Sequence, residues 1–221
     1  MTADTFAGCA LLVIDLQNDF CHPDGVAGRR GDSTENVRAA MPRVHWTIDR
    51  AREIGVPVIF IRTEHSKWSD SPAWHRRPSV AKAERAGIGR VSAVWTGTWG
   101  AEFYEVGPED GELVLTKYRY SAFPYTPLEP MLRNRGIETV YLAGTQTNCC
   151  IMATGNDALA HGFSAVMIRD ATATKSQEVQ ESAEREFSSQ VGYVLDAAEV
   201  VTRWREAAQQ EAAGIAGKAA V

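Results

Sequence analysis

Three segments of this chain place a reactive side chain directly behind an apolar run. Asp15 follows Cys9-Ala-Leu-Leu-Val-Ile14, and Lys117 follows Leu113-Val-Leu-Thr116. Cys149 and Cys150 follow Thr139-Val-Tyr-Leu-Ala143 through the small polar turn Gly144-Thr-Gln-Thr-Asn148. A carboxylate, an ammonium and a thiol are a base, a cation and a nucleophile, the set that acyl transfer through a covalent intermediate needs. A cysteine in the first turn of a helix meets unpaired backbone N–H groups and the positive end of the helix dipole. Both favour thiolate, and the same N–H groups serve as an oxyanion hole.

Each residue also has a plainer reading that stays open at this point. A carboxylate at the end of an apolar strand costs free energy unless it is paired or used, and Asp15 equally reads as a structural group bonding loop amides beside Gln17 and Asn18. Lys117 alone reads as a strand-end lysine reaching solvent. A cysteine at a helix start also packs as a small apolar side chain. Their joint presence favours chemistry: if Asp15 and Lys117 meet in one crevice, each lowers the other's burial penalty.

Other chemistries lack their signatures. There is no GxGxxG or GxxxxGK phosphate loop, no GxSxG elbow, no HExxH and no CxxC. His22 and His65 both follow strands and are assigned to loop structure at the mouth of the site. The net charge of −5 and the pI near 5.6 argue against nucleic-acid binding. Ala10–Ile14 is too short to span a membrane. Met1-Thr2-Ala3-Asp4 lacks the basic start of a signal peptide, and the four cysteines (Cys9, Cys21, Cys149, Cys150) form no disulfide framework. The expectation is a cytoplasmic protein with reduced thiols.

The elements that must position these residues alternate in type. Cys9–Ile14, Val56–Ile61, Leu113–Leu115, Thr139–Ala143 and Ser164–Ile168 read as buried parallel strands, with a short one near Val191–Leu195. Thr34–Ile54, Thr126–Arg135, Asn148–His161, Ser176–Gln190 and the residues from Ala197 onward read as helices. Three of these helices stop at a glycine (Gly55, Gly136, Gly162), the grammar of β-α-β units. The order predicts an open, mostly parallel, six-stranded doubly wound α/β sheet with helices on both faces, a Rossmann-like three-layer fold. It occupies one domain, 1–221, with a frayed tail at about 212–221. Between Arg62 and Gly111 lies a long connection of little periodicity that holds Trp68, Trp74, Trp95 and Trp99, four of the chain's six tryptophans. Such connections serve as lids or binding loops. Ligands of doubly wound sheets bind beyond the strand carboxyl ends. That points to Asp15–Phe20, Arg62–His65, Thr116–Lys117, Gly144–Cys150 and Arg169–Asp170.

At these residues the chain resembles the isochorismatase-like (nicotinamidase-like) cysteine hydrolases over almost its whole length. The matching motifs are Leu11-Leu-Val-Ile-Asp-Leu-Gln-Asn-Asp-Phe20, Lys117-Tyr-Arg-Tyr-Ser-Ala-Phe123 and Gly144-Thr-Gln-Thr-Asn-Cys-Cys-Ile151. The resemblance implies that Asp15 is the general base, that Lys117 completes a triad, and that Thr147-x-x-Cys150 marks Cys150 as nucleophile with Cys149 as its neighbour. It also implies a cis peptide between Thr145 and Gln146, an oxyanion hole from the amides of Gln146 and Cys150, and a homodimer or homotetramer. Phe20, Trp99 and Gln146 are the expected substrate contacts, Trp99 because Gly97-Thr-Trp-Gly100 permits close approach of backbone to ligand. Nicotinamidases carry a metal-binding Asp-x-His after the second strand. Here Arg62-Thr-Glu-His65 stands in its place, so no metal and no cofactor are expected. Gly97-Thr-Trp-Gly-Ala-Glu102 resembles members that cleave N-carbamoyl or ureido compounds. The expected function is cysteine-dependent hydrolysis of a small carbamoyl or ureido amide through a thioester, releasing ammonia. The alternatives are hydrolysis of nicotinamide or isochorismate, and a non-catalytic or flavodoxin-like binder on the same scaffold.

Overall fold

The computed structural model describes residues 8–89 and 92–219, with side chains through residue 210. Six parallel strands form one sheet: β1 (Cys9–Ile14), β2 (Val58–Thr63), β3 (Leu113–Lys117), β4 (Thr139–Thr145), β5 (Ser164–Ala173) and β6 (Tyr193–Leu195). Their order is β3-β2-β1-β4-β5-β6. The doubly wound fold therefore stands as expected, with every pairing parallel. Successive residues of a strand point to opposite faces. Cys9, Leu11 and Val13 accordingly pack in one apolar cluster and Ala10, Leu12 and Ile14 in another. All six are buried, which is why β1 reads as an unbroken apolar run.

Two short helices, α1 (Asn18–Cys21) and α2 (Val26–Arg29), follow β1 and lead into the long α3 (Glu35–Ile54). The β2–β3 connection carries α4 (Pro72–His75), α5 (Pro78–Arg85) and a 3-10 turn at Trp99–Ala101. The second half of the chain contributes α6 (Leu128–Asn134), α7 (Met152–Ala160), α8 (Gln177–Gln190) and α9 (Ala197–Ala219). Val37, Met41, Val44 and Ile48 of α3 pack with Val200, Val201 and Trp204 of α9 on one face of the sheet. Leu128 and Leu132 of α6, Ala158 of α7 and Phe187 of α8 cover the other. α3 ends at Gly55, whose φ of 91° is a left-handed cap that a side chain would strain.

Several boundaries differ from the sequence reading. β2 begins at Val58, because Pro57 has no N–H for the ladder; its carbonyl instead accepts from Leu11 N at 2.9 Å. β5 continues to Ala173, past Arg169 and Asp170, which were expected to lie beyond the strand end. A shift in register between Leu142 and Gly144 of β4 lets Gly144 pair with Thr172. Asp170 serves α9 rather than a site: it accepts from Ala197 N at 2.7 Å and pairs with Arg43 at 3.0 Å. The expected tail at 212–221 is helical in backbone through Ala219, and positions 220–221 and the Met1–Asp4 start lie outside the described residues. Among the described residues, no helix is long and apolar enough to cross a membrane.

The β2–β3 connection holds more local structure than its sequence suggests, and it is fastened from below by the polar residues after β1. Gln17 exchanges two bonds with the backbone of Thr63 (2.8 and 2.9 Å) and donates to Ala101 O at 2.8 Å. Asn18 donates to Trp99 O at 2.8 Å. Buried Asp19 accepts from Val26 N and Val94 N at 2.9 and 2.6 Å. The Gln-Asn-Asp run after β1 therefore clips this connection to the strand ends.

Candidate active site

β1 and β4 lie side by side at the centre of the sheet, and the chain leaves them in opposite lateral directions. A crevice opens at the carboxyl ends of such a pair. Asp15 is the first residue past β1. It takes a left-handed φ of 55°, a conformation that aspartate tolerates better than most side chains, and its amide donates to Ile61 O at 2.8 Å. Lys117 closes β3, and the β2–β3 register sets Thr63 opposite it. The ladder thus brings three strand ends into one polar cluster. Lys117 Nζ donates to Asp15 Oδ2 at 2.8 Å, to Thr63 Oγ1 at 2.6 Å and to Arg119 O at 3.1 Å. Thr63 Oγ1 in turn donates to Asp15 Oδ1 at 2.9 Å. An ammonium has three protons, and here each has an acceptor. That satisfaction is what permits a lysine of 0% exposure beside a carboxylate of 1%.

The nucleophile segment turns more widely than a standard helix start. Thr147–Ile151 is a π-turn, with Ile151 N donating to Gln146 O at 3.3 Å, and α7 begins only at Met152. The expected first α-helical turn around Cys150 is therefore a π-turn leading into the helix. Thr147 Oγ1 donates to Gln180 Oε1 at 2.6 Å and Asn148 Oδ1 accepts from Thr174 Oγ1 at 2.7 Å, so α8 and the end of β5 brace it. The peptide between Thr145 and Gln146 is cis. Asp15, Gln146, Cys149 and Cys150 all face one cavity of about 100 Å³, enough for a small molecule.

The charges inside couple to one another. Burial pushes the Lys117 ammonium down, but Asp15 and the neighbouring Cys150 together hold it above its ordinary value. The Cys149 thiol, burial and the charge of Asp15 push the Cys150 thiol well up, with Lys117 opposing them. These influences favour the thiol over the thiolate at Cys150. Contact with Cys150 pushes Cys149 the other way, against burial and with help from Lys117 and Arg77.

Of the expected substrate contacts, Phe20 and Gln146 line the cavity. Trp99 does not. It is half exposed and packs edge-on against His22, ring centroids 5.1 Å apart. Its flanking Gly100 is required for another reason than ligand approach: a Cβ there would overlap the Asp19 carboxylate. The tryptophan at the cavity wall is Trp74, whose ring lies 5.0 Å from that of Tyr120. Its indole N–H donates to His65 Nε2 at 3.4 Å, and His65 Nδ1 is bonded to Asp70 at 2.8 Å. His65 thus supports the lid, close to the loop role expected of it, and is itself part of the wall. Sequence reasoning did not assign Thr63, Trp74 or Tyr120. Glu64 is paired with Arg62 at 3.0 Å, and among the described residues no three His, Cys, Asp or Glu side chains are grouped to hold a metal ion.

Comparison with known proteins identifies the family. The isochorismatase domain family matches residues 9–199. A ureidoacrylate amidohydrolase of Methylobacterium radiotolerans is 28% identical over 196 residues, covering 85% of this chain and 76% of that one. A cysteine hydrolase from Pseudomonas syringae pv. phaseolicola superposes with a TM-score of 0.78 at 23% identity, covering 91% of this chain and 94% of its own, which speaks for the fold. A nicotinamidase from Bacillus subtilis superposes at 0.68 with 28% identity, covering 86% and 99%. The match across nearly the whole sheet, together with the strand-end cluster, makes this chain a member of the isochorismatase family of hydrolases.

Proposed function

We propose that the protein hydrolyses a small ureido or carbamoyl amide through a thioester on Cys150 and releases ammonia. The observation that carries this reading is the buried Lys117–Asp15–Thr63 cluster, whose Asp15 and Thr63 share one cavity with Cys150. Asp15 takes the Cys150 proton, and the sulfur forms a bond to the substrate carbonyl carbon. The amides of Gln146 and Cys150 receive the negative oxygen. Collapse breaks the C–N bond, and protonated Asp15 gives its proton to the leaving ammonia. Water then loses a proton to Asp15 and attacks the thioester, and that proton returns to the departing Cys150 sulfur. Lys117 stays charged throughout and orients the Asp15 carboxylate, as the hydroxyl of Thr63 does from the other oxygen.

The ureido assignment has the support of the Methylobacterium relative and of the Gly97–Glu102 segment. One observation favours a rival: Trp74 and Tyr120 make an aromatic wall that would also stack on a pyridine ring, as nicotinamide presents. The connection at 62–111 is read as a lid within the same single domain. The test is ammonia release from a panel of ureido acids, carbamoyl amino acids, biuret and nicotinamide, with and without a chelator. A ureido or carbamoyl compound should be fastest, and the chelator should change nothing. Nicotinamide fastest, or activity lost to the chelator and restored by a divalent metal, would overturn the assignment.

A further inference from the structure

The reaction proposed above leaves two cations of the same cavity without a task. Arg77, at the N-terminal cap of α5, and Arg119, two residues past β3, both line it. Their guanidinium carbons lie 4.3 and 5.1 Å from the centroid of the Trp74 ring, so one indole serves as platform for both. Among the described residues neither forms an ion pair. Arg77 Nη1 donates to Trp74 O at 2.7 Å, and Arg119 Nη1 donates to Ser69 O and Tyr118 O at 3.1 and 2.6 Å. These acceptors are neutral carbonyls, and most of each guanidinium's five N–H groups stay free.

The other charges nearby are already spent. Arg30, the third arginine of the wall, is paired with Asp32, which also holds Lys82. Asp15 is committed to Lys117. Asp70 bonds His65 through Oδ1, and its Oδ2 is buried without a hydrogen-bond partner, so it bonds neither arginine. Among the described residues the wall therefore carries two arginines with no direct carboxylate partner, Arg77 meeting the charge of Asp70 only at a distance. Burial already pushes Arg77 below its ordinary value, and the charges of Tyr120 and Asp70 only partly oppose it. Such an arrangement costs free energy in the empty protein and is repaid when a ligand brings the anion. Two planar forks held against one indole at the wall of one cavity suit a planar anion, above all a carboxylate.

We propose that Arg77 and Arg119, mounted on Trp74, form the subsite for a carboxylate at the end of the substrate remote from the scissile carbonyl, so that the enzyme selects ureido acids over neutral ureido compounds. The cavity of about 100 Å³ is small enough for one short molecule to touch both Cys150 and this pair. The inference rests on the hydrolytic reading of the cavity, and its test separates the two.

The test compares 3-ureidopropanoate with its neutral counterpart 3-ureidopropan-1-ol. Wild type should prefer the acid by about 30-fold or more in kcat/KM. Arg77→Gln should remove most of that preference through KM, leave the alcohol within about threefold, and be partly rescued by Arg77→Lys. Arg119→Gln should act in the same direction and carries the comparison if Arg77→Gln does not fold. Equal turnover of acid and alcohol by wild type overturns the subsite. So does an equal loss on both substrates in both variants at an unchanged Tm, while hydrolysis itself stands. If wild type turns over neither compound, calorimetric binding of 3-ureidopropanoate decides. Binding that is lost in Arg77→Gln or Arg119→Gln keeps the anion subsite and ends the ureido hydrolysis. Absence of binding to wild type ends the subsite as well.

Discussion

The carboxyl edge of the sheet and the lid above it are held by different kinds of force. At the edge, Asp15, Thr63 and Lys117 come from neighbouring strands, and their meeting follows from backbone register: Thr63 stands opposite Lys117, and Asp15 N is tied to Ile61 O. In the lid, backbone ladders are nearly absent. Two isolated bridges, Gln17 with Phe103 and His65 with Trp95, supplement the side-chain clips from Gln17, Asn18 and Asp19. The edge is therefore fixed by backbone register, whereas the lid depends on particular polar contacts. On the proposed function, chemistry belongs to the sheet and selectivity to the lid.

The largest effect should come from breaking the edge. Lys117→Met leaves the Asp15 carboxylate buried without its cation. Activity should fall by about a thousandfold or more, and stability by about 3–5 kcal/mol. Adding Asp15→Leu should recover much of the stability and none of the activity, measured by denaturant unfolding beside ammonia release. Recovery of activity in the double variant would reduce the pair to a structural salt bridge.

A smaller effect should come from the lid wall. Trp74→Ala should lower kcat/KM toward the best substrate by about tenfold, roughly 1.4 kcal/mol. Trp99→Ala should lower it by no more than about twofold, because its ring packs on His22 outside the cavity. The reverse order would mean that the cavity closes over Trp99 in the working enzyme.

The smallest effect should be a pH dependence of the lid. Burial holds the His65 imidazole below its ordinary 6.5, and Asp70 only partly opposes this. The neutral ring is the form that accepts the Trp74 N–H. A depressed folded-state value means that this contribution to stability is complete above 6.5 and is lost as the pH falls through the lower folded value. KM should therefore rise on the acid side with kcat moving less. Trp74→Phe, which has no N–H to give, should flatten that rise. An acid limb unchanged in Trp74→Phe would disconnect His65 from the lid.

The same division explains what could be read from the sequence. An apolar run followed by a reactive residue, at once or through a short polar turn, exposes Asp15, Lys117 and the Cys149–Cys150 pair, because a buried strand fixes where its end must lie. Thr63 falls in the Arg62–His65 run that the fold points to, but only the pairing with β3 shows its hydroxyl between Lys117 and Asp15. Arg169 and Asp170 were placed at a strand end that the bulge beside Leu142 removes. In the lid, four tryptophans share one connection, and nothing in their spacing says which turns inward. The glycines beside Trp99 suggested a ligand, but Gly100 answers to Asp19. Side-chain clips between distant residues leave no periodicity to read.

The central claim is that Cys150, rather than its partner Cys149, forms the covalent intermediate with the help of Asp15. Ammonia release by Cys150→Ala and Cys149→Ala, each checked for a wild-type Tm, tests it most directly. The account predicts that Cys150→Ala is inactive and that Cys149→Ala keeps most of the wild-type rate. It further predicts that acid-quenched wild-type enzyme carries the acyl mass on Cys150 in peptide mass spectra. Full activity in Cys150→Ala, or an acyl group found on Cys149, would contradict it.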